Sequence, residues 1–471
     1  MPSADMKEHE IRYDYTNMLS DTVGDHGVRP EDLDKLSKKI PTMFKTLGHQ
    51  RGKGTLGFMD LPTDENAVGS AMKLANSFSG RFENLVVLGI GGSALGPIAL
   101  KSALCHPLHN MLDRNARGGK PRFFVLDNID PDAIGAVFDF VKPEETLINV
   151  ITKSGGTAET VSQLMIFYSA MSKALGDKAR EHFVATTDPE KGELRKMAGE
   201  MGWQTLPIPP NVGGRFSVLT SVGLFPAAML GIDVRQLLSG AAAMDRRSEA
   251  RSVEENPSLA FAALQYILYK KRCNISILMP YSSALFDIAD WYRQLWAESL
   301  GKKQSLTGKE INVGPTPVKA LGATDQHSQV QLYVEGPYDK SVTFIEAGKF
   351  SRSLTIPAAL TQYDSAGYLA GRTMNELMGA EKKGTEVALS AAGRPNGTLI
   401  APEISAFTVG QMIYFFEMAT AMSGALYGIN AFDQPGVEAG KIAAYALMGR
   451  KGYEQEQARI KGFFGKKRKI V

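Results

Sequence analysis

Cysteine is scarce in this sequence, where only Cys105 and Cys273 occur among 471 residues. Two thiols in a chain of this size argue against a disulfide framework and favour a reducing compartment. The sequence also has no large excess of charge of one sign, because it contains 53 basic and 50 acidic side chains and its formal net charge is +3. Such a balance does not favour nucleic acid as the main partner, and it is compatible with a small anionic ligand.

Long uninterrupted apolar runs are also missing. The two longest candidates lie between Glu403 and Glu417 and between Glu417 and Asp433. Each is shorter than the ~18–20 apolar residues that a membrane-crossing helix needs, so we predict buried helix and no membrane partner. The N-terminus MPSADMKEHEIRYDY carries charges where a signal peptide needs an apolar core, which predicts a cytoplasmic protein. We interpret the basic stretch KKRK at 466–469 as a solvated tail.

A favourable set of metal ligands is absent too. Cys105, His106 and His109 cluster in ALCHPLH, but Pro107 interrupts the helix there and no nearby carboxylate completes a ligand set. We therefore expect no metal site.

The length of the chain indicates two domains, since 471 residues are too many for one typical core. The alternation of β-rich and helix-length segments indicates that both are α/β domains. Residues 1–78 are polar with helical periodicity, and we expect an N-terminal helical segment that packs on the second domain. Residues 79–240 alternate β-rich runs with helix-length segments, which is typical of a parallel sheet with crossover helices. The predicted strands are NLVVLGI, RFFVLDNI, TLINVITK, HFVATTD and TLPIPP.

A polar segment, DRRSEARSVEENP, separates this unit from a second one. We expect the second domain over residues 250–471, with helices at its C-terminal end. Its predicted strands are NISILMPY at 274–281, SQVQLYVEG at 328–336, SVTFIEA at 341–347 and GTLIAPEI at 397–404. The predicted fold class is therefore α/β, with two doubly wound parallel-sheet domains in tandem and flanking helices.

The stretch LVVLGIGGSALG changes from an apolar run into glycines and a serine. Gly89, Gly91 and Ala94 satisfy the dinucleotide fingerprint G-x-G-x-x-A between a strand and a helix. That fold also needs an acidic residue ~20 positions further on, and Asp127 comes well after that point. Ser93 instead adds a hydroxyl at a helix N-terminus, where backbone N–H groups bind a single phosphate. A tight turn without a ligand is the alternative.

A second hydroxyl-rich glycine loop, ITKSGGTAET, follows the third predicted strand. Lys153, Ser154 and Thr157 crowd the carboxyl end of that strand, where ligands of open α/β sheets bind. The first and third strands of such a sheet bring both loops to one crevice. Neither loop has the spacing of a nucleotide P-loop, so the pair predicts a cradle for one phosphate group.

Charged and amide side chains mark four further stretches. Arg215 follows two glycines in NVGGRFSVLT and can stabilise an oxyanion or grip a phosphate, although a surface arginine is the alternative. Gln294 and Glu298 share one face of a helix predicted over 283–300. Glu298 is a candidate general base, with a solvated glutamate as the alternative.

His327 and Lys441 complete the candidates. Of the seven histidines, His327 alone lies in a small-residue, amide-rich loop, which makes it the best acid/base candidate. A hydrogen-bonded structural histidine is the alternative. In NAFDQPGVEAGK, Gln434 and Lys441 follow a long apolar helix, and a lysine there can donate a proton or bind an anion.

In order and over residues 80–441, these motifs resemble the glucose-6-phosphate isomerase family, and in particular its shorter bacterial members. The resemblance implies two sugar-isomerase (SIS) domains, each a five-stranded parallel sheet flanked by helices. It implies reversible conversion of glucose 6-phosphate into fructose 6-phosphate through a cis-enediolate, in glycolysis and gluconeogenesis and without a cofactor. It also implies a homodimer whose active sites use residues of both subunits.

The resemblance assigns a role to each candidate. Glu298 is the base, Arg215 stabilises the intermediate, and Lys441 opens the sugar ring together with His327 of the neighbouring subunit. The phosphate site falls on Ser93, Lys153, Ser154 and Thr157, and the remaining substrate contacts on Gly92, Gly214, Gln294 and Gln434.

Two positions depart from the family's pattern. The loop reads KSGGT where animal relatives have KTFTT, so backbone N–H groups should replace some phosphate contacts. Pro435 stands where a tryptophan is common. Two other functions are weighed against the isomerase. A noncatalytic sugar-phosphate sensor has no use for Glu298, Arg215 and His327 together, and an oxidoreductase would have to bind NAD(H).

Overall fold

The computed structural model describes residues 8–464 and Lys469. The predicted solvated tail at 466–469 therefore lies outside the described residues except for Lys469. None of the helices within residues 8–464 is long and apolar enough to cross a membrane.

The N-terminal segment combines one strand with several helices. The strand β1, Arg12–Asp14, pairs with a strand of the second domain. The helix Glu65–Ser77 begins at Asp64, whose carboxylate accepts two backbone N–H groups as an N-cap. It packs against the helix Ser221–Met229 of the first domain. The segment thus contacts both domains. Its other α-helices are Ser20–Val23, Pro30–Ser37 and Ile40–Gly52.

The first sheet is built from β2 (Asn84–Leu88), β3 (Arg122–Leu126), β4 (Thr146–Ile151), β5 (Phe183–Thr187) and β6 (Gln204–Pro207). The strands are parallel, in the order β3-β2-β4-β5-β6, which confirms the five predicted strands. Every residue of β2, β4 and β5 is buried, because helices cover both faces of the sheet. The crossover helices are Leu95–Leu104, Pro131–Phe140, Ala158–Leu175 and Glu193–Met201.

The second domain adds six strands to the described part of the chain. They are β7 (Ile275–Pro280), β8 (Lys302–Gln304), β9 (Glu310–Val313), β10 (Thr316–Lys319), β11 (Lys340–Ala347) and β12 (Asn396–Ala401). β8 and β9 form a separate antiparallel pair. The main sheet has the order β1-β12-β11-β7-β10. Its edge strand β1 runs antiparallel to β12, so this sheet is not fully parallel as the resemblance implied.

The prediction of a strand over residues 328–336 is wrong. This stretch contains the helix Val330–Glu335, in which Tyr333 is buried and donates its hydroxyl to Gln329, four residues earlier. Apolar residues spaced three and four apart therefore outweigh the local β-propensity. Sequence reasoning also missed the short strands β1, β8, β9 and β10. Of these, β10 lies in the main sheet of the second domain beside β7. It is short and contains Pro317, which an edge strand tolerates because its outer N–H side is unpaired.

A buried helix, Ala406–Tyr427, runs through the core. It confirms the predicted buried helix, as one continuous element instead of two apolar runs. Its close neighbour is the helix Val234–Ser248, and a Cβ on Gly410 would lie 1.8 Å from the carbonyl oxygen of Leu237. Glycine thus allows the two backbones to touch. The remaining α-helices are Pro257–Lys270, Phe286–Leu300, Asp364–Gly367, Met374–Ala391, Glu438–Leu447 and Glu454–Phe464.

Candidate active site

A cavity of about 870 Å³ opens at the carboxyl ends of β2 and β4. Ligands of open α/β sheets bind at this edge of the sheet. All of the predicted site residues except His327 line the cavity. They are Gly92, Ser93, Lys153, Ser154, Thr157, Gly214, Arg215, Gln294, Glu298, Gln434 and Lys441.

The two glycine loops lie side by side because β2 and β4 are adjacent and parallel. Ser93 ends the 3₁₀ turn Gly91–Ser93, immediately before the helix Leu95–Leu104. Thr157 is the N-cap of the helix Ala158–Leu175, and its hydroxyl is 3.2 Å from that of Thr152. The first turn of each helix presents unpaired backbone N–H groups toward the cavity, together with these hydroxyls. The arrangement can hold a phosphate group.

The ammonium of Lys153 forms two hydrogen bonds within the protein. Its Nζ donates to the carbonyl oxygens of Pro210 at 2.6 Å and Val212 at 3.1 Å. Burial lowers the pKa of Lys153, and the carboxylate of Asp188 opposes this shift. Lys153 therefore ties its own loop to the segment that leads to Arg215.

The loop at Gly92 touches the loop at Gly214. A Cβ on Gly92 would lie 2.1 Å from the carbonyl oxygen of Gly214, closer than real Cβ contacts occur. Gly91 has a φ of 59°, and a Cβ there would lie 3.0 Å from Nε2 of Gln294. Glycine at these positions brings the first glycine loop against both the turn that carries Arg215 and the helix that carries Glu298.

Arg215 lies buried beneath the cavity and is 3% exposed. Its Nη1 donates to Oε1 of Glu298 at 2.8 Å and to Oε1 of Gln434 at 3.2 Å, and its Nε donates to the Ser299 hydroxyl at 2.7 Å. Its Nη2 donates to two backbone carbonyls of residues 431–433. Burial lowers the pKa of Arg215 and Glu298 opposes the shift, so the guanidinium is a fixed positive charge with a set orientation.

Glu298 is held at both carboxylate oxygens. Arg215 binds Oε1, and Nε2 of Gln294 donates to Oε2 at 3.0 Å. The helix predicted over 283–300 is confirmed as the turn Ser283–Leu285 followed by Phe286–Leu300, so Gln294 and Glu298 share one face. A carboxylate oriented in this way at a cavity wall can accept a proton from a bound ligand.

Gln434 and Lys441 line the cavity from a later part of the chain. Gln434 precedes the turn Pro435–Val437, and Pro435 suits the first turn position because its missing N–H would have no partner there. Lys441 lies on the helix Glu438–Leu447, and its Nζ is 2.9 Å from Oε1 of Glu438. The Tyr445 hydroxyl of the same helix donates to the carbonyl oxygen of Gly156 at 3.3 Å, so the helix lies beside the second glycine loop.

His327 is not brought into this cavity. It ends the turn Thr324–His327 and is exposed. The preceding Gln326 is fixed at both ends of its amide, since its Oε1 accepts from the Tyr281 hydroxyl and its Nε2 donates to Glu381, each at 2.8 Å. The loop is thus held in place while the imidazole faces outward from its own chain.

The histidines near Cys105 contact the backbone. Nδ1 of His106 accepts from the N–H of Leu108, and Nε2 of His109 is 2.9 Å from the carbonyl oxygen of Pro121. Across the described ranges no group of three or more Cys, His, Asp or Glu side chains is arranged to hold a metal ion.

A family model described as phosphoglucose isomerase matches residues 70–461. The chain belongs to the phosphoglucose isomerase family. The resemblance predicted from the motifs is thereby confirmed. A curated relative from Carboxydothermus hydrogenoformans, named glucose-6-phosphate isomerase, is 47% identical over 451 residues, covering 96% of this chain and 97% of the relative. One of the same name from Rubrobacter xylanophilus is 42% identical, covering 94% and 99%.

Solved structures agree with this membership in the phosphoglucose isomerase family. A hypothetical protein from Thermus thermophilus superposes with a TM-score of 0.84 at 36% identity, covering 93% of this chain and 100% of that one. A glucose-6-phosphate isomerase from Chlamydia trachomatis superposes with a TM-score of 0.72 at 26% identity, covering 85% and 77%.

Sequence reasoning missed several residues of this site in the phosphoglucose isomerase fold. Asp188 and Lys191 line the cavity from the turn after β5. The signal for them was present, because TTDPEKG places charged residues at the carboxyl end of a strand next to β4. Lys302 carries no such signal. Its Nζ donates to the carbonyl oxygens of Glu298 at 2.8 Å and Asp433 at 2.6 Å, and it joins segments that are remote in sequence.

Proposed function

We propose that this chain interconverts glucose 6-phosphate and fructose 6-phosphate by proton transfer through a cis-enediolate. The observation that carries the proposal is the setting of Glu298. Arg215 and Gln294 orient its carboxylate at the wall of the cavity that also contains the two hydroxyl-rich glycine loops. Its curated relatives bear the name of this isomerase.

The phosphate group of the sugar binds between the two loops. Ser93, Ser154 and Thr157 supply hydroxyls, the helix N-termini supply backbone N–H groups, and Lys153 supplies positive charge. Anchoring the far end of the sugar positions C1 and C2, so remote binding energy is used at the reacting carbons. Glucose and fructose without the phosphate are accordingly poor substrates.

Glu298 removes the proton from C2 of the open-chain aldose and returns it to C1, while the proton of the C2 hydroxyl passes to the C1 oxygen, so that C2 becomes the carbonyl carbon of the ketose. The electron pair released at C2 forms the enediolate, whose negative charge develops on the neighbouring oxygens. Arg215 stabilises this charge from a fixed position, because its guanidinium is already oriented by Ser299, Gln434 and two backbone carbonyls. In the reverse direction the same carboxylate removes the proton from C1.

Ring opening precedes this transfer, and we assign it to Lys441 and His327. Lys441 lines the cavity, whereas His327 is exposed on the outside of its own chain. This placement supports a homodimer in which His327 enters the cavity of the second subunit. The side chains of Leu354, Leu360 and Tyr368, later in the same domain, are apolar and exposed, as is common for side chains that contact another subunit.

We place the reaction in the cytoplasm, as a step of glycolysis and gluconeogenesis. Two observations support this assignment: the chain has only two cysteines, and it belongs to the phosphoglucose isomerase family.

A coupled assay tests the function directly. The purified chain is given fructose 6-phosphate in the presence of a metal chelator, and glucose 6-phosphate is detected with an NADP-dependent dehydrogenase. We expect turnover that the chelator leaves unchanged and that falls strongly with unphosphorylated fructose. Activity that depends on added metal would contradict the enediolate route. No conversion of either hexose phosphate would favour a noncatalytic sugar-phosphate-binding protein.

A further inference from the structure

Lys191 faces the phosphate loops from the turn that follows β5. It lines the cavity and is exposed. The next residue, Gly192, has a φ of 95°, and a Cβ there would lie 2.7 Å from the carbonyl oxygen of Ser154. A side chain at Gly192 would therefore be both strained and obstructed. The turn that carries Lys191 is locked against the second phosphate loop.

Among the described residues the ammonium of Lys191 has no hydrogen-bond or ion-pair partner, although its charge helps to lower the pKa of Asp188. Lys153 differs, because two of its three N–H donors bind the carbonyl oxygens of Pro210 and Val212. Of the two lysines at this end of the cavity, Lys191 is the one with all its donors available for a ligand.

The charge balance leads to the same residue. Two carboxylates, Asp188 and Glu159, line the same end of the cavity as Lys153 and Lys191. The pKa of Asp188 is held below its ordinary value chiefly by the backbone N–H groups of residues 190 and 191, so it is ionised at neutral pH. Without Lys191 these side chains would carry a net negative charge facing a phosphate dianion. The nearby pair Lys441 and Glu438 adds no net charge.

We infer that Lys191 is a phosphate-binding residue of this site, and that it contributes the free ammonium while Lys153 mainly holds the loop in place. The inference rests on the proposed function and extends it, since it names a cation that the motifs did not indicate. The ligand class is a sugar phosphate bound through its phosphate group. Because the two glycine loops still anchor the phosphate and position C1 and C2 when this one contact is removed, we expect its loss to weaken binding more than turnover.

The test compares Lys191→Met with Lys196→Met, an exposed lysine on the adjoining helix Glu193–Met201. A hydrogen bond to a charged group has a strength that corresponds to about a 10- to 100-fold change in affinity. We expect Lys191→Met to raise the KM for fructose 6-phosphate and the inhibition constant of inorganic phosphate by about that factor. Its kcat should stay within about twofold of the wild type, and Lys191→Arg should recover much of the binding. Lys196→Met should change none of these values.

Two results would overturn the inference. One is a KM and a phosphate inhibition constant for Lys191→Met that match those of Lys196→Met. The other is a lower kcat with unchanged phosphate inhibition. Calorimetric titration of each variant with inorganic phosphate measures phosphate binding directly and so separates this inference from the proposed function. A wild type that binds phosphate through Lys191 without isomerising hexose phosphates would refute the function and leave the site intact.

Discussion

Glu298 combines two properties that a catalytic base needs, a carboxylate group at the cavity wall and a fixed orientation. Exchange of one oxygen for nitrogen in Glu298→Gln keeps the shape and removes the ability to accept a proton. We expect kcat to fall by about 10²–10⁴-fold or more and KM to change little, because the substrate contacts remain. Steady-state kinetics in both directions check this. The exposed Glu144→Gln is the control, and near-normal turnover of Glu298→Gln would rule out its role as the base.

Gly92 and Gly214 touch each other but are not equivalent. A Cβ on Gly92 would collide with the Gly214 carbonyl, whereas a Cβ on Gly214 would meet nothing within 4 Å. We expect Gly92→Ala to lower the free energy of unfolding by about 1–3 kcal/mol, as overpacking does. Gly214→Ala should leave it close to the wild-type value. Urea denaturation of both variants measures the difference, and equal stabilities would contradict the close approach of the two loops.

At the scale of elements, the helix Ala406–Tyr427 carries an unusual residue in the core. Glu417 is 0% exposed, and neither carboxylate oxygen has a hydrogen-bond partner within the described residues. Burial raises the pKa of Glu417 well above its ordinary value of 4.5. The folded protein therefore holds this side chain in its protonated form, while the unfolded chain ionises it at neutral pH.

The sign of the pH effect follows from that difference. Because the pKa of Glu417 is raised in the folded state, its protonated form contributes to the free energy of unfolding. This contribution is complete below the ordinary pKa and is lost as pH rises toward the pKa in the folded state. Glu417→Gln mimics the protonated form at every pH. We expect it to be more stable than the wild type at pH 8, with a difference that shrinks toward pH 4. Urea unfolding across this range is the measurement. A difference that does not vary with pH would show that Glu417 is not protonated in the fold.

At the scale of the whole molecule, the location of His327 makes a prediction about subunits. If His327 completes the site of the partner, Glu298→Gln on one chain and His327→Ala on the other fall in the same site of a mixed dimer. A heterodimer of the two variants then retains one intact site. Random mixing should restore about a quarter of wild-type activity, because half of the dimers are heterodimers with one working site each.

The experiment refolds or coexpresses the two variants together and compares kcat with that of each variant alone. Sedimentation of the mixture confirms the oligomeric state. A mixture with no more activity than its parents would place His327 in the site of its own chain or outside the reaction.

The two glycine loops and the hydroxyl groups that they present were readable from the sequence because they depend on local pattern. A buried strand ending in glycines and hydroxyls, followed by a helix, specifies a strand–loop–helix unit by itself. The pairing of Gln294 with Glu298 was also local, since four residues along a helix share a face. The strand predicted over 328–336 failed for the opposite reason. In so short a stretch, burial of Tyr333 against the sheet decides between helix and strand.

The sequence by itself thus determined the α/β class, the five strands of the first sheet, the family and the residue types of the site. Only the tertiary structure decided which of these residues meet. The bond from Arg215 to Glu298 joins positions 83 residues apart, and the bond to Gln434 joins positions 219 apart. Such distant contacts depend on how whole elements pack, which no local pattern encodes. The same holds for β1 at the edge of the second sheet, for His327 outside its own cavity, and for the free ammonium of Lys191 at the phosphate loops.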